Sequence, residues 1–183
     1  MAVSPEKIER LLEEHKEVQA VVLTSPTYDG VLSDIERISE IVHQKKIPLI
    51  VDEAHGAHFG FHPYFPENAN TKGADVVIHS LHKTLPALTQ TALIHLNGTR
   101  IDRRKIRNYL HIFQTSSPSY VLMASMDECL RTVAEQGDVL FETYVKNLES
   151  KRGEVEKIKA YQIDGDRRIR QIQTGAVCKR YDS

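Results

Sequence analysis

The chain has 183 residues, with 24 Lys and Arg against 25 Asp and Glu and a formal net charge of −1. Its apolar share of 40% excludes an intrinsically disordered polymer, and its length fits one domain of middling size. Because neither sign of charge accumulates, we expect no broad binding to nucleic acid or to anionic lipid. No apolar run approaches the roughly 18 residues of a membrane span, and the amino terminus does not resemble a signal peptide, so we expect a cytoplasmic protein with no membrane partner.

The first third of the chain alternates between helical and strand patterns. Ser4 and Pro5 are placed as the cap and first residue of an amphipathic helix. An apolar run over 20–23 predicts a strand, and Ser33 with Glu36 forms a capping box that opens a second helix.

Three more apolar strands follow, over 48–51, 75–79 and 91–96. Alternation of such strands with helices predicts an α/β fold whose mainly parallel sheet is sandwiched by helices. The last strand follows its neighbour after a short connection, which favours an antiparallel orientation. Beyond it the pattern turns helical, with Asp102 as a cap and a later helix from about Ser119 to Glu135 that we expect to end near Gly137.

Two strand-end loops carry side chains suited to chemistry. Asp52 follows the strand in PLIVDEAH, and Lys83 follows the next strand in SLHKT. Both should converge at the carboxyl edge of a parallel sheet, where an amine and a carboxylate suit pyridoxal phosphate. Lysine forms a Schiff base with its aldehyde, and aspartate keeps its pyridine nitrogen protonated. The letters DEAH also occur in nucleotide hydrolases, but the phosphate loop GxxxxGK[ST] that they require does not occur in this sequence.

The histidines raise zinc binding as another alternative. His55, His58 and His62 lie within one short loop, and His79 and His82 lie nearby. This set includes no cysteine and lacks the fixed helical spacing of known zinc motifs, so we expect no metal site.

Four segments in order resemble the Orn/Lys/Arg decarboxylase family: TSPTYDG, VDEAHGAHFGFH, GADVVIHSLHKTLPALTQTALIH and FQTSSPSYVLMASMD. The family consists of pyridoxal phosphate enzymes of fold type I, with a large domain like that of aspartate aminotransferase. The resemblance runs from roughly residue 3 to residue 145. It implies that residues 1–150 are part of the cofactor-binding major domain, whereas we expect 151–183 to be a charged, poorly packed tail.

The resemblance also implies roles for individual residues. The cofactor would be held by Lys83, with Asp52 at the pyridine nitrogen, Ala54 against the ring and His55 near the phenolic oxygen. The phosphate contacts implied by the resemblance are Ser80 and His82, together with Ser116 and Ser117 from the neighbouring subunit of a homodimer.

The implied reaction is decarboxylation of a basic amino acid, lysine, ornithine or arginine, to the corresponding amine. Enzymes of the family are several hundred residues long, so we expect the 183-residue chain alone to bind cofactor weakly and to turn over little or nothing. Alternatives are a noncatalytic folded remnant or dimerisation module, another fold-type-I enzyme such as an aminotransferase, or a DEAH-type nucleotide hydrolase.

Overall fold

The computed structural model describes residues 2–156, with side chains through residue 154. The helices are α1 (Pro5–Glu14), α2 (Ile35–Gln44), the single turn α3 (Leu81–Thr84), α4 (Arg103–Phe113) and α5 (Tyr120–Glu156). The strands are β1 (Val21–Thr24), β2 (Leu49–Asp52), β3 (Val76–Ser80) and β4 (Ala92–Leu96). All four predicted strands are confirmed, with no end shifted by more than one residue.

One sheet contains the strands in the order β1-β2-β3-β4. β1, β2 and β3 are parallel, and β4 runs antiparallel to β3 as the short connection predicted. The predicted α/β class is therefore confirmed, with the parallel strands ending at one edge.

Helices α1 and α2 cover one face of the sheet. Their apolar sides pack with inward-facing residues of β1, β2 and β3. Ile38 of α2 and Leu49 and Val51 of β2 are fully buried in this core. Burial alternates along β1 and β2, as it does in a strand whose two faces meet different surroundings. The second face is partly open: Val22 is 67% exposed and Ile94 is 38% exposed.

The helix starts show which capping predictions were right. Ser4 caps α1 and Asp102 caps α4, each accepting hydrogen bonds from backbone N–H groups of the first turn. The predicted capping box at Ser33 is wrong, because Asp34 caps α2 by accepting from the Arg37 N–H at 3.1 Å. The Ser33 hydroxyl instead accepts from the Val3 N–H.

The predicted end of the last helix near Gly137 is also wrong, because α5 continues to Glu156. A glycine inside a helix costs about 1 kcal/mol relative to alanine. That cost is offset because Phe141 and Val145, one and two turns later, are buried in a second core with Phe65 and Leu81.

The proposed domain boundary at residue 150 falls within α5, and residues 157–183 of the expected tail lie outside the described residues. None of the helices in residues 2–156 is both long and apolar enough to cross a membrane.

Candidate active site

The carboxyl ends of β2 and β3 bring the two predicted loops together. β2 ends at Asp52, which is in register with Ile78 of β3, and β3 ends one residue before α3 begins. Lys83 lies on that single helical turn, and its Nζ is 3.2 Å from Nε2 of His55 in the loop after β2. The structure thus places an amine, an imidazole and a carboxylate on neighbouring strand ends.

The electrostatic surroundings of His55 favour the neutral form of its ring. Partial burial lowers its pKa, the charge of Lys83 lowers it further, and Asp52 acts in the opposite direction. A neutral imidazole can accept at Nε2, so the Lys83 ammonium donates to His55. The ring of Tyr28, from the loop after β1, meets His55 edge-on with centroids 5.6 Å apart.

The turn after β2 fixes the aspartate and the alanine. Asp52 Oδ1 accepts from the Ala54 N–H at 3.1 Å, and the Glu53 carbonyl accepts from the Gly56 N–H at 2.8 Å. The Asp52 side chain is half-buried, and Ala54 is buried. The carboxylate is therefore oriented by its own backbone, as in an Asx turn.

The predicted phosphate contacts on β3 and α3 lie beside Lys83. Ser80 occupies the N-cap position of α3, but its hydroxyl makes no capping hydrogen bond. Nδ1 of His82 is 2.9 Å from the Thr91 carbonyl, which assigns the proton to Nδ1. A contact from its Nε2 to a phosphate oxygen therefore requires the protonated ring.

Ser116 and Ser117 lie elsewhere, in the exposed loop 114–119 between α4 and α5. The Thr115 hydroxyl donates to the Ser117 carbonyl at 3.1 Å. Among the described residues, neither serine side chain hydrogen-bonds to the strand-end group. A role at a site of the same subunit therefore has no support in this arrangement.

The histidines do not converge on a metal site. His58 is buried among aromatic rings, Nε2 of His62 contacts Glu142, and Nε2 of His79 contacts Glu53. Within the part of the chain that the structure describes, no three His, Cys, Asp or Glu side chains are grouped so that they could hold a metal ion.

Two features of the site were missed in the sequence. Tyr28 belongs to the segment TSPTYDG, which directly follows β1, and its contact with His55 depends on strand order. The second is a buried contact between Glu53 and His79, at 2.7 Å, beneath the two strand ends. Glu53 lies in the DEAH segment beside Asp52, and that adjacency was the available signal.

Known proteins are similar to large parts of this chain. A protein of Bacillus subtilis named YaaO is 47% identical over 121 residues, which cover 66% of this chain and 25% of that protein. An arginine decarboxylase of the same organism is 33% identical over 156 residues, covering 85% of this chain and 32% of the enzyme. The structure of Escherichia coli constitutive lysine decarboxylase superposes with a TM-score of 0.66 at 25% identity, covering 89% of this chain and 24% of that one.

The chain thus spans between a quarter and a third of the length of these three relatives. The fold shared with this lysine decarboxylase confirms the fold-type-I large domain that the resemblance implies. The family described as Orn/Lys/Arg decarboxylase, major domain, matches residues 1–178, beyond the boundary expected at 150. The chain therefore belongs to the Orn/Lys/Arg decarboxylase family.

Proposed function

We propose that the strand-end site holds pyridoxal phosphate and removes the α-carboxylate of a basic amino acid, lysine, ornithine or arginine, to give the corresponding amine. The observation that carries this proposal is the 3.2 Å contact between Lys83 Nζ and His55 Nε2, on strand ends next to Asp52. Relatives named arginine decarboxylase and lysine decarboxylase support the substrate class.

The residues present fit the cofactor by their chemistry. When bound, pyridoxal phosphate supplies an electron sink for the electron pair left as carbon dioxide departs. Lys83 would hold the cofactor through its amine, and Asp52, oriented by the Ala54 N–H, would hold a proton on the pyridine nitrogen. His55 accepts from the Lys83 amine and so orients it, while buried Ala54 would pack against the ring.

The phosphate would be held by the Ser80 hydroxyl, which makes no capping bond, and by protonated His82. We propose that Ser116 and Ser117 reach the phosphate bound by the other subunit of a homodimer. Their loop is exposed, and it lies beside exposed apolar residues of α4 and α5 such as Phe113 and Tyr120. Adjacent exposed apolar residues of this kind are typical of interaction surfaces.

We further propose that the 183-residue chain alone keeps Lys83 and Asp52 in this arrangement but binds cofactor weakly and turns over little. The open sheet face at Val22 and Ile94 supports this, because it lies on the same side of the strands as Asp52 and Ser80. Water reaching that face would screen the charges on which cofactor binding depends.

The first experiment adds pyridoxal phosphate to the purified chain, follows the visible absorbance, reduces with borohydride and maps the labelled peptide. Lys83→Ala is the test variant, and Lys105→Ala, on exposed α4, is the matched control. We expect one adduct, on Lys83, that is lost in Lys83→Ala and kept in the control. Lysine, ornithine and arginine are then assayed for release of carbon dioxide.

Labelling spread over surface lysines, and unchanged in Lys83→Ala, would contradict the proposal. It would favour instead a noncatalytic folded remnant or dimerisation module. Efficient decarboxylation by the isolated chain would support the site but contradict the proposed weakness of the chain alone.

A further inference from the structure

Beneath the strand ends, three side chains form a continuous hydrogen-bonded series that the proposed reaction does not use. Nε2 of His79 lies 2.7 Å from Oε2 of Glu53, and Nδ1 of His79 lies 3.1 Å from Nε2 of His95. Both oxygens of Glu53 also lie 3.1 Å from the Ala69 N–H. Glu53 and His79 are buried, whereas His95, on β4, is half-buried.

The donors around Glu53 determine which atom donates and which accepts in each hydrogen bond of this series. The Ala69 N–H can only donate, so it requires an acceptor oxygen, and an ionised carboxylate accepts on both oxygens. Burial raises the Glu53 pKa, and the hydrogen bonds from His79 and Ala69 oppose that effect by stabilising the charge. With Glu53 as acceptor, a neutral His79 ring carries its proton on Nε2, its Nδ1 accepts, and His95 donates from Nε2.

The same series joins the two segments that carry the candidate site. Glu53 immediately follows Asp52, and its N–H donates to the Ile78 carbonyl at 3.0 Å. His79 is one residue before the N-cap of the turn that bears Lys83. Successive residues of a strand face opposite ways. Neighbouring residues at the same two strand ends therefore belong to the buried series on one face and to the candidate site on the other.

We propose that Glu53, His79 and His95 are positioning residues: the Glu53 carboxylate sets the tautomer of His79 and holds the ends of β2 and β3 in the geometry that the cofactor requires. This inference rests on the proposed function, since the cofactor site is the one that it positions. A buried hydrogen-bonded series of this kind constrains its members more than separate contacts do, because each bond fixes the donor of the next.

The decisive variant is Glu53→Gln in the full chain. A glutamine removes the negative charge and replaces one of the two acceptor oxygens with an NH2 donor, so only one oxygen remains to accept from Ala69 and His79. ¹⁵N NMR of the histidine rings, without cofactor, should show the proton on Nε2 of His79 in the wild type and a changed Nε2 signal in Glu53→Gln. The apparent affinity for pyridoxal phosphate at Lys83 should fall about tenfold, the effect of one charged hydrogen bond.

Two further variants separate positioning from general loss of structure. Glu142→Gln removes the charge from an exposed glutamate that contacts His62, and it should change neither the His79 tautomer nor the affinity. His95→Phe removes the last donor but keeps the Glu53 contact, so His79 should stay protonated on Nε2 while the affinity falls. Circular dichroism and urea unfolding establish that each variant is folded.

The proposal is overturned if His79 of the wild type carries its proton on Nδ1. It is also overturned if Glu53→Gln or His95→Phe binds pyridoxal phosphate at Lys83 as tightly as the wild type does. If Glu53→Gln does not fold, the NMR tautomer of His79 in the wild type and the cofactor affinity of His95→Phe still test the proposal. If the wild-type chain forms no adduct at Lys83, the proposed function fails and the positioning role fails with it, whereas the tautomer assignment depends on the NMR spectrum alone.

Discussion

The buried histidine at position 58 makes stability depend on pH. Its side chain is packed edge-on between Phe59 and Phe65, with ring centroids 4.6 and 4.8 Å away. Within the described residues neither ring nitrogen has a hydrogen-bond partner, and the residue is 2% exposed. Burial is the main cause that lowers the His58 pKa to about 3.

The sign follows from the two protonation states. In the unfolded chain the His58 pKa returns to about 6.5, so below that pH the unfolded state binds a proton that the folded state excludes. The stabilising contribution is complete above about pH 6.5 and is lost as the pH falls toward 3, at about 1.4 kcal/mol per pH unit. Between pH 7 and pH 5 the free energy of unfolding should therefore fall by about 2 kcal/mol through this residue alone.

The assay is urea unfolding of the wild-type chain and of His58→Phe at pH 7 and at pH 5. The apolar ring cannot be protonated, so the variant should lose about 2 kcal/mol less than the wild type over this interval. His111→Phe, which replaces an exposed imidazole of α4, should lose as much as the wild type. Equal losses in the wild type and in His58→Phe would refute the argument, because they would show that His58 is not kept neutral by burial.

Three substitutions test packing and capping, each by urea unfolding. Gly56→Ala should destabilise by about 1–3 kcal/mol, because the added Cβ would lie 2.6 Å from Glu53 Cγ; an unchanged midpoint would contradict this. Asp34→Ala should cost about 1 kcal/mol through loss of the α2 cap, and no loss would return the capping role to Ser33. Phe141→Ala should lower the free energy of unfolding by about 3 kcal/mol. A loss below about 1 kcal/mol would mean that packing of Phe141 does not stabilise α5 beyond Gly137.

The strands and the convergence of Asp52 with Lys83 could be predicted because they depend on local signals. Short β-branched runs end at polar turns, and the carboxyl ends of parallel strands necessarily meet at one edge. The antiparallel β4 was predictable for a similar reason, since the connection after Lys83 is too short for a crossover.

The errors arose where tertiary contacts decide between local options. Ser33 and Asp34 are both good caps, and the choice depends on the Val3 N–H, which occupies the Ser33 hydroxyl from 30 residues away. Gly137 resembles a helix stop, and only the burial of Phe141 against the loop after β2 shows that the helix continues. Neither contact has a signature in the neighbouring sequence.

The exposed residues of the candidate site could be predicted from the sequence, but the buried series behind them could not. Asp52 and Lys83 face outward, where their chemistry can be recognised from residue type and position at a strand end. Glu53 and His79 face inward from the same strand ends, and His95 of β4 contacts His79. The series of three side chains therefore depends on the pairing of three strands. A buried carboxylate must be matched by donors, and for Glu53 these come from Ala69 and His79, 16 and 26 residues away. The buried contact of Glu53 with His79 therefore limits how the ends of β2 and β3 can move, and with them Asp52 and Lys83. A substitution at Glu53 or His79 should alter the candidate site although neither side chain is part of it.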